Sequence, residues 1–245
     1  MTLAVFRKMQ LAAFALCAGL AGFSINAMAQ TVSDPGLHSL TLALADGTSV
    51  DYALVIPENY SPATPVPLVL ALHYGGAPQG AGRGVVESVI APGLEELGAI
   101  IVGPDSVEGN WSTPANEQAV TQLLDMIEAN YAIDETKTLV TGFSMGGSGS
   151  WHFGAKFPER FKAAIPIASR PPALAGWQLP VLAIHSRADQ VAPFEPAEAA
   201  VVELSARGVN ARLIAVDGIT HYETYRFAEP LQQAIPWLLE VWANP

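Results

Sequence analysis

Short apolar runs alternate with helical patterns along this chain, and this alternation restricts its possible folds more than any other feature. Residues 68–72, 100–102 and 181–185 are apolar runs without regular polar alternation, which is typical of strands buried on both faces of a sheet. Residues 116–131, by contrast, repeat apolar side chains at helical spacing. Strands that alternate with helices predict an α/β fold, in which a mostly parallel central sheet has helices on both faces.

The remaining segments continue the same pattern. The other predicted strands are 40–44, 52–56, 138–141, 163–168 and 212–216, and the other predicted helices are 85–97, 148–157, 195–207 and 231–242. No long insertion separates these segments, so we expect a single catalytic domain over residues 30–245 without a large lid. In sheets of this kind, functional side chains gather at the carboxyl ends of the strands.

The beginning of the chain has the three-part layout of a secretory signal peptide. Arg7 and Lys8 form a short basic region, residues 11–25 are apolar, and residues 27–29 (Ala-Met-Ala) are small at the positions that signal peptidase reads. A retained membrane anchor is the alternative, but the apolar run is shorter than the roughly 20 residues that span a bilayer. We therefore expect residues 1–29 to be removed and the mature protein to be secreted or periplasmic.

Composition narrows the possible chemistry and partners. Cys17 is the only cysteine and lies inside the predicted signal, which excludes disulfides, a cysteine nucleophile and cysteine-ligated metals in the mature chain. The formal net charge is −11, and removal of the signal with its two basic residues makes it more negative. Because an acidic surface repels phosphate backbones and anionic lipid, we expect no nucleic-acid partner and no stable membrane association after signal cleavage.

The most specific motif is the GxSxG sequence Gly142-Phe143-Ser144-Met145-Gly146. It directly follows a predicted buried strand and directly precedes a predicted helix. A turn that sharp forces its central residue into a strained conformation and lifts the serine Oγ above the sheet edge. The flanking glycines leave space there because they carry no side chain. A glycine-rich turn with an incidental serine is the alternative, but this context predicts Ser144 as a nucleophile.

A serine hydroxyl needs a neighbouring imidazole to accept its proton, and three histidines follow Ser144 in the chain. His152 lies two turns along the predicted helix after the motif, so it cannot swing back to the serine. His185 ends a predicted strand just before the candidate acid, which favours a supporting position at the rim. His221 lies in a loop between the last strand and the final helix, which is where the base is expected. The sequence therefore predicts His221 as the general base.

The acid that orients this histidine should lie in a loop between Ser144 and His221. Only two aspartates, Asp189 and Asp217, occur in that interval. Asp189 directly follows a predicted buried strand, whereas Asp217 is close to His221 and is placed to serve a turn with Gly218. We predict that Asp189 accepts the Nδ1 proton of His221 and fixes the tautomer of the imidazole.

Acyl transfer also needs backbone N–H groups that stabilise the oxyanion. One predicted donor is the amide of Met145, and the other is the amide of Tyr74 or Gly75, in a glycine-rich loop after a predicted strand. We also expect the Tyr74 ring to line the acyl pocket. Trp111 follows another strand, and we predict that its ring contacts substrate.

Three stretches of the sequence carry a resemblance to a known family. They are Leu-His-Tyr-Gly-Gly at 72–76, Thr-Gly-Phe-Ser-Met-Gly-Gly at 141–147 and Phe-Pro-Glu-Arg-Phe-Lys-Ala at 157–163. With them the chain resembles the single-domain esterase and predicted-peptidase branch of the α/β-hydrolases. Its relatives include phospholipase/carboxylesterase, dienelactone-hydrolase-like, feruloyl-esterase-like and polyester-depolymerase-like enzymes. The resemblance implies the α/β-hydrolase fold over nearly all of the mature chain.

These observations predict a secreted serine hydrolase that cleaves carboxylic esters through an acyl-enzyme on Ser144, without a cofactor or a metal. A cleft without a lid would admit a small-molecule or a polymeric ester. Two alternatives stay open: a serine peptidase of the prolyl-oligopeptidase-like branch, and a non-catalytic binding protein on a hydrolase scaffold. Peptidases of that branch usually carry an additional domain, and the complete set of Ser144, Asp189 and His221 disfavours the binding protein.

Overall fold

The computed structural model describes residues 31–76 and 79–244, and the predicted signal peptide at 1–29 lies outside this part of the chain. Eight strands form one sheet in the order β1-β2-β4-β3-β5-β6-β7-β8. They are β1 (Gly36–Ala43), β2 (Ser49–Ile56), β3 (Val66–Leu72), β4 (Ile100–Pro104), β5 (Ile133–Phe143), β6 (Ala163–Ile167), β7 (Val181–Ser186) and β8 (Ala211–Val216).

The sheet is antiparallel only at the edge formed by its first two strands. β1 and β2 form a hairpin whose last pair joins Ala43 to Ser49, and Gly47 in its turn has a φ of 87°. β2 is also antiparallel to β4, whereas every further pair is parallel. The predicted mostly parallel sheet is therefore confirmed, and the carboxyl ends of β3 to β8 lie at one edge.

The helices cover the sheet on both sides. They are α1 (Ala81–Val85), α2 (Ala91–Leu94), α3 (Pro114–Asn130), α4 (Met145–Lys156), α5 (Phe194–Ala206), α6 (Ala228–Gln232) and α7 (Ile235–Ala243). A π-helical turn, Val86–Ile90, joins α1 to α2, so the predicted helix at 85–97 is longer and less regular than expected. The predicted helix at 231–242 is two helices, because Pro236 in the first turn of α7 has no N–H to continue a helical ladder.

Two apolar layers fill the space between the sheet and the helices. Leu70 and Val140 point into the layer beneath α3, α4 and α5, whereas their neighbours Val69 and Leu139 point into the layer beneath α1, α2, α6 and α7. All four side chains have no measurable exposure. Successive strand residues point to opposite faces, so strands buried on both sides need the continuous apolar runs seen in the sequence.

The connections between these elements are short. Within the described residues, the longest connection without a helix or strand runs over 168–180, between β6 and β7. That length leaves no large lid in this part of the chain. None of the described helices combines the length and the apolar character needed to cross a membrane.

Candidate active site

Ser144 occupies the turn between β5 and α4. Its backbone has a φ of 56° and a ψ of −112°, in a region that residues other than glycine rarely adopt. Two hydrogen bonds hold it there: its N–H donates to the carbonyl oxygen of Ile167 at 2.9 Å, and its carbonyl oxygen accepts from the N–H of Ser148 at 3.0 Å. The turn therefore has the strained geometry expected of the GxSxG motif.

Two glycines allow the start of α4 to approach the end of β3 very closely. A Cβ on Gly146 would lie 1.9 Å from the carbonyl oxygen of Leu72, and a Cβ on Gly142 would lie 2.5 Å from the same oxygen. Neither distance is possible between atoms that are not bonded. Because both residues lack a side chain, the turn that carries Ser144 lies beside the loop that follows β3.

The side chains of Ser144, His221 and Asp189 form one continuous chain of hydrogen bonds. Ser144 Oγ lies 2.8 Å from His221 Nε2, and His221 Nδ1 lies 2.7 Å from Asp189 Oδ2. Because an ionised carboxylate can only accept, Nδ1 carries the proton and Nε2 is free to accept from the serine hydroxyl. The three residues follow β5, β7 and β8, and the serine and histidine are 77 positions apart in sequence.

The Asp189 carboxylate has no exposed surface, and hydrogen bonds fix its orientation. Oδ1 accepts from the backbone N–H groups of Val191 and Ala192, both at 2.8 Å, while Oδ2 accepts from His221. Buried polar atoms are costly unless they are paired, and here both oxygens are paired. The loop after β7 thus presents the carboxylate in a single orientation toward the imidazole.

The other two candidate histidines are engaged elsewhere. His185 is buried, donates through Nε2 to the carbonyl oxygen of Ala192 at 2.9 Å, and lies 3.6 Å from Asp189 Oδ2. Burial is the main cause that lowers the pKa of His185, so the neutral imidazole is favoured behind the acid. His152, on α4, lies 2.7 Å from Glu117. The geometry thus favours His221 as the base among the three.

Asp217, the alternative acid, lies outside this chain of hydrogen bonds. Its side chain is 78% exposed, and its Oδ1 lies 3.3 Å from a guanidinium nitrogen of Arg187. That guanidinium also stacks over the ring of Phe194, with its central carbon 5.0 Å from the ring centroid. The geometry therefore favours Asp189 over Asp217 as the partner of the imidazole.

The proposed oxyanion donors lie on two segments that are in contact. A Cβ on Gly75 would lie 3.7 Å from Met145 Sδ, so the loop after β3 runs alongside the start of α4. Met145 is the first residue of that helix, where backbone N–H groups have no intrahelical acceptor. Within residues 31–76 and 79–244 neither Tyr74 nor Gly75 donates its N–H to another group, so both remain candidates for the second donor.

The Tyr74 ring lies beside the nucleophile turn. It packs edge-on against Phe143, with ring centroids 6.5 Å apart. Its hydroxyl oxygen lies 3.2 Å from the position that a Cβ on Gly84 would occupy. Phe143 in turn contacts the His221 ring, with centroids 5.1 Å apart. The half-buried Tyr74 ring is therefore linked to the His221 ring through Phe143.

Trp111 lies in the core, so the prediction that its ring contacts substrate is wrong. Its side chain is only 1% exposed, and its indole N–H donates to the carbonyl oxygen of His73 at 2.9 Å. Its ring packs against the His73 imidazole with centroids 5.0 Å apart, and it occupies the space beside Gly149. A large aromatic ring gains most by burial, and from the core Trp111 supports the loop after β3.

His73 joins the loop after β3 to the loop after β4, a contact that the sequence did not reveal. Its Nδ1 donates to the carbonyl oxygen of Tyr74 at 2.6 Å, and its Nε2 accepts from the N–H of Ser106 at 2.9 Å. Burial lowers the pKa of His73 despite the hydrogen bond to Tyr74, so the neutral form is favoured. The only signal in the sequence is its position directly before Tyr74.

Asn116 organises the loop after β4, and the sequence did not reveal this either. Its side chain is buried on α3, where Oδ1 accepts from the N–H of Val107 at 2.8 Å. Its Nδ2 donates to the carbonyl oxygens of Glu108 and Asn110, at 2.6 and 2.8 Å. An asparagine in the first turn of a helix gives no sequence signal for such a contact.

Two acidic side chains near the end of β4, those of Asp51 and Asp105, form local hydrogen bonds. Asp105 accepts from the N–H groups of Gly80 and Gly82, at 2.6 and 2.7 Å, at the start of α1. Asp51 accepts from the hydroxyl of Thr41 at 2.6 Å. In the part of the chain that the structure describes, no group of three or more His, Cys, Asp or Glu side chains is arranged to hold a metal ion.

Known proteins share this sequence pattern. The family model described as "Putative esterase" matches residues 45–201. Probable feruloyl esterase C of Aspergillus niger is 26% identical over 162 residues, which cover 59% of this chain and 57% of that protein. Probable feruloyl esterase C of Aspergillus terreus is 30% identical over 146 residues, which cover 56% and 53%. The chain thus spans about half the length of the curated relatives it matches.

A solved structure of a thermostable esterase shares the fold. It superposes with a TM-score of 0.69 at 24% identity, over 83% of this chain and 62% of that chain. Together with the eight-stranded, mostly parallel sheet, this likeness confirms the α/β-hydrolase fold. Since the family model matches more than half of the chain, the protein belongs to the esterase family of the α/β-hydrolases.

Proposed function

We propose that this protein is a secreted serine hydrolase that cleaves carboxylic esters through an acyl-enzyme on Ser144. The observation that carries the proposal is the unbroken chain of hydrogen bonds from Ser144 Oγ through His221 to the buried carboxylate of Asp189. In this role His221 is the general base and Asp189 orients it. Membership of the esterase family supports an ester, rather than an amide, as the substrate.

The reaction has two half-reactions with the same groups. In the first, Ser144 Oγ attacks the ester carbonyl carbon while its proton passes to His221 Nε2, and Asp189 stabilises the imidazolium. The imidazolium then protonates the leaving alcohol, and the acyl group stays on the serine. In the second, His221 takes a proton from water, the resulting attack releases the acid, and the proton returns to Ser144 Oγ.

The oxyanion that forms in both half-reactions needs donors near Ser144. We assign these to the N–H of Met145 and the N–H of Tyr74 or Gly75, and each such donor contributes about 3 kcal/mol to the transition state. The contacts of His73 and Trp111 support this assignment because they hold the loop after β3 in place. In this proposal the donors are in position before substrate binds, which is what preorganised stabilisation requires.

The proposal also concerns the acyl group of the substrate. The Aspergillus relatives are named as feruloyl esterases, which favours an aromatic acyl group. The Tyr74 ring beside the nucleophile turn is placed to line such a group. The short connections of the described chain are consistent with a small-molecule or a polymeric ester as substrate.

The function is tested by combining a covalent probe with two substrate classes. We expect a fluorophosphonate to label Ser144, and p-nitrophenyl acetate to be hydrolysed while aminoacyl-p-nitroanilides are not. Ser144→Ala should abolish labelling and lower kcat by about 10⁶-fold, because the nucleophile is removed. Ser148→Ala, in helix α4, is the control that should keep both the labelling and the wild-type kcat. An unlabelled wild type would favour the binding protein, and turnover of the anilides would favour the peptidase.

Export is tested separately from catalysis. We propose that residues 1–29 are removed and that the mature protein begins at Gln30, in the periplasm or outside the cell. The N-terminal peptide of the exported protein, determined by mass spectrometry, should therefore start at Gln30. An N-terminus upstream of residue 11 in the exported protein would contradict cleavage and support the membrane anchor.

A further inference from the structure

Tyr222 is the most exposed large hydrophobic side chain of the described residues, and it directly follows the proposed base. Its side chain is 77% exposed. Its ring stands edge-on to the His221 imidazole, with ring centroids 6.1 Å apart and an interplanar angle of 83°. The buried Phe143 ring contacts the same imidazole, with ring centroids 5.1 Å apart, whereas Tyr222 extends into solvent. Because about three quarters of Tyr222 is exposed, its burial contributes little to the stability of the folded state.

The turn that carries Tyr222 is held rigidly by its neighbours. The N–H and the hydroxyl of Thr220 both donate to Glu223 Oε2 at 2.8 Å. Arg226 donates to Glu223 Oε1 and to the carbonyl oxygen of Gly218, both at 3.0 Å. The hydrogen bonds from Thr220 lower the pKa of Glu223 to about 2, so the carboxylate that closes the turn stays charged at neutral pH. Tyr222 is therefore presented to solvent on a fixed backbone.

The reaction chemistry decides which half of an ester meets this ring. In the proposed mechanism, His221 Nε2 donates the proton that it took from Ser144 to the oxygen of the leaving alcohol. That oxygen must therefore lie within hydrogen-bonding distance of Nε2. Groups attached to the alcohol oxygen consequently lie on the His221 side of the site.

We propose that Tyr222 is a specificity-determining residue that packs against a ring in the alcohol portion of the ester. This inference rests on the proposed function, because it uses His221 as the group that protonates the leaving alcohol. The flat, exposed ring of a tyrosine matches the face of an aromatic or a saturated ring. Such contacts of an aromatic side chain stabilise a complex by roughly 0.5–1.5 kcal/mol, which corresponds to about 2- to 12-fold in kcat/KM.

The experiment compares three esters that share an acetyl group: methyl, cyclohexylmethyl and benzyl acetate. Tyr222→Ala should lower kcat/KM by about 2- to 12-fold for one or both ring-bearing esters, mainly through a higher KM, and by less than about 2-fold for methyl acetate. A loss restricted to benzyl acetate identifies an aromatic ring as the preferred group. A loss on both identifies the ring face in general.

Two variants control the comparison. Tyr222→Phe keeps the ring and should retain wild-type kcat/KM for all three esters. Tyr225→Ala removes another tyrosine that is 65% exposed, three residues further along, and should leave all three values unchanged. An equal loss on methyl and ring-bearing acetates would overturn the inference while leaving the hydrolase in place. A wild type that hydrolyses none of the esters and resists fluorophosphonate would overturn the proposed function itself.

Discussion

The strained backbone of Ser144 shows how single residues create this site. A non-glycine residue at a φ of 56° costs about 1–3 kcal/mol, and the structure holds it there with hydrogen bonds to β6 and within α4. The same principle applies at Asp189, whose burial is offset by two backbone donors and by His221. Ser144 and Asp189 are therefore both placed by contacts to residues nearby in the chain and to residues of neighbouring segments.

Asp189→Asn should lower kcat by about 10⁴-fold while the protein stays folded. The amide oxygen of the substituted side chain would accept from the N–H groups of Val191 and Ala192, which leaves its NH₂ facing His221 Nδ1. The imidazole would then carry its proton on Nε2 and could not accept from Ser144 Oγ. Steady-state kinetics on p-nitrophenyl acetate measure the loss, and Asp217→Asn is the control. A larger effect at Asp217 would contradict the assignment.

The buried histidines make stability depend on pH. Burial lowers the pKa of both His73 and His185 below the usual 6.5, so the unfolded chain binds more protons than the folded one as the pH falls through that value. We expect the free energy of unfolding to decrease from pH 7.5 to pH 5, as measured by urea denaturation. The glutamine of His73→Gln keeps a donor and an acceptor but does not titrate. The free energy of unfolding should therefore decrease less between pH 7.5 and pH 5 in this variant. An unchanged slope in this variant would refute the interpretation.

The position of helix α4 depends on glycines, which carry no side chain. Gly142 and Gly146 allow its first turn to touch the end of β3, and Gly149 accommodates the ring of Trp111. Glycine is unfavourable inside a helix by up to about 1 kcal/mol, so this close approach is obtained against local propensity. As a result, the turn that carries Ser144 and the loop after β3 lie side by side.

Gly146→Ala should therefore destabilise the protein, although alanine is the better helix former. The added Cβ would overlap the carbonyl oxygen of Leu72, and relieving an overlap of this kind typically costs about 1–3 kcal/mol. Ser148→Ala, in the same helix, changes propensity without a clash and should stay within about 0.5 kcal/mol of wild type. Chemical denaturation of the two variants provides the comparison, and equal stabilities would contradict the packing argument.

At the scale of the whole molecule, the sheet separates two apolar layers and brings its carboxyl ends to one edge. The loops after β3, β5, β7 and β8 meet there, which is why residues 73–75, 144, 189 and 221 lie together. Both layers must form before this edge is complete, because the central strands contribute side chains to each. The site therefore depends on the integrity of the entire sheet.

Leu70→Ala should lower the free energy of unfolding by about 2–5 kcal/mol, since it leaves a cavity in the layer beneath α3 and α4. Leu239 on α7 is 51% exposed, and Leu239→Ala should change stability by less than about 0.5 kcal/mol. Urea denaturation monitored by tryptophan fluorescence distinguishes the two. A small effect at Leu70 would mean that the central strand is not the buried core element described here.

Local patterns in the sequence were sufficient for the architecture and for the three triad candidates. Apolar runs and helical spacing depend on neighbouring residues only, so they predict the parallel sheet, and the strand–turn–helix context of GxSxG predicts Ser144 as the nucleophile. Boundaries were less accurate, as the division of the last helix at Pro236 shows. Chain order favoured Asp189 and His221, but no local pattern contains the 2.7 and 2.8 Å contacts that connect them.

Contacts between residues far apart in the chain were decided by the tertiary structure alone. Trp111 follows a strand and could face the cleft by its position, yet the space beside Gly149 and the acceptor on His73 place it in the core. The bonds of His73 to Ser106, and of Asn116 to the loop before it, likewise depend on how loops pack. Sequence spacing determines which face a side chain is on, whereas burial and hydrogen-bond partners depend on the neighbours that folding brings together.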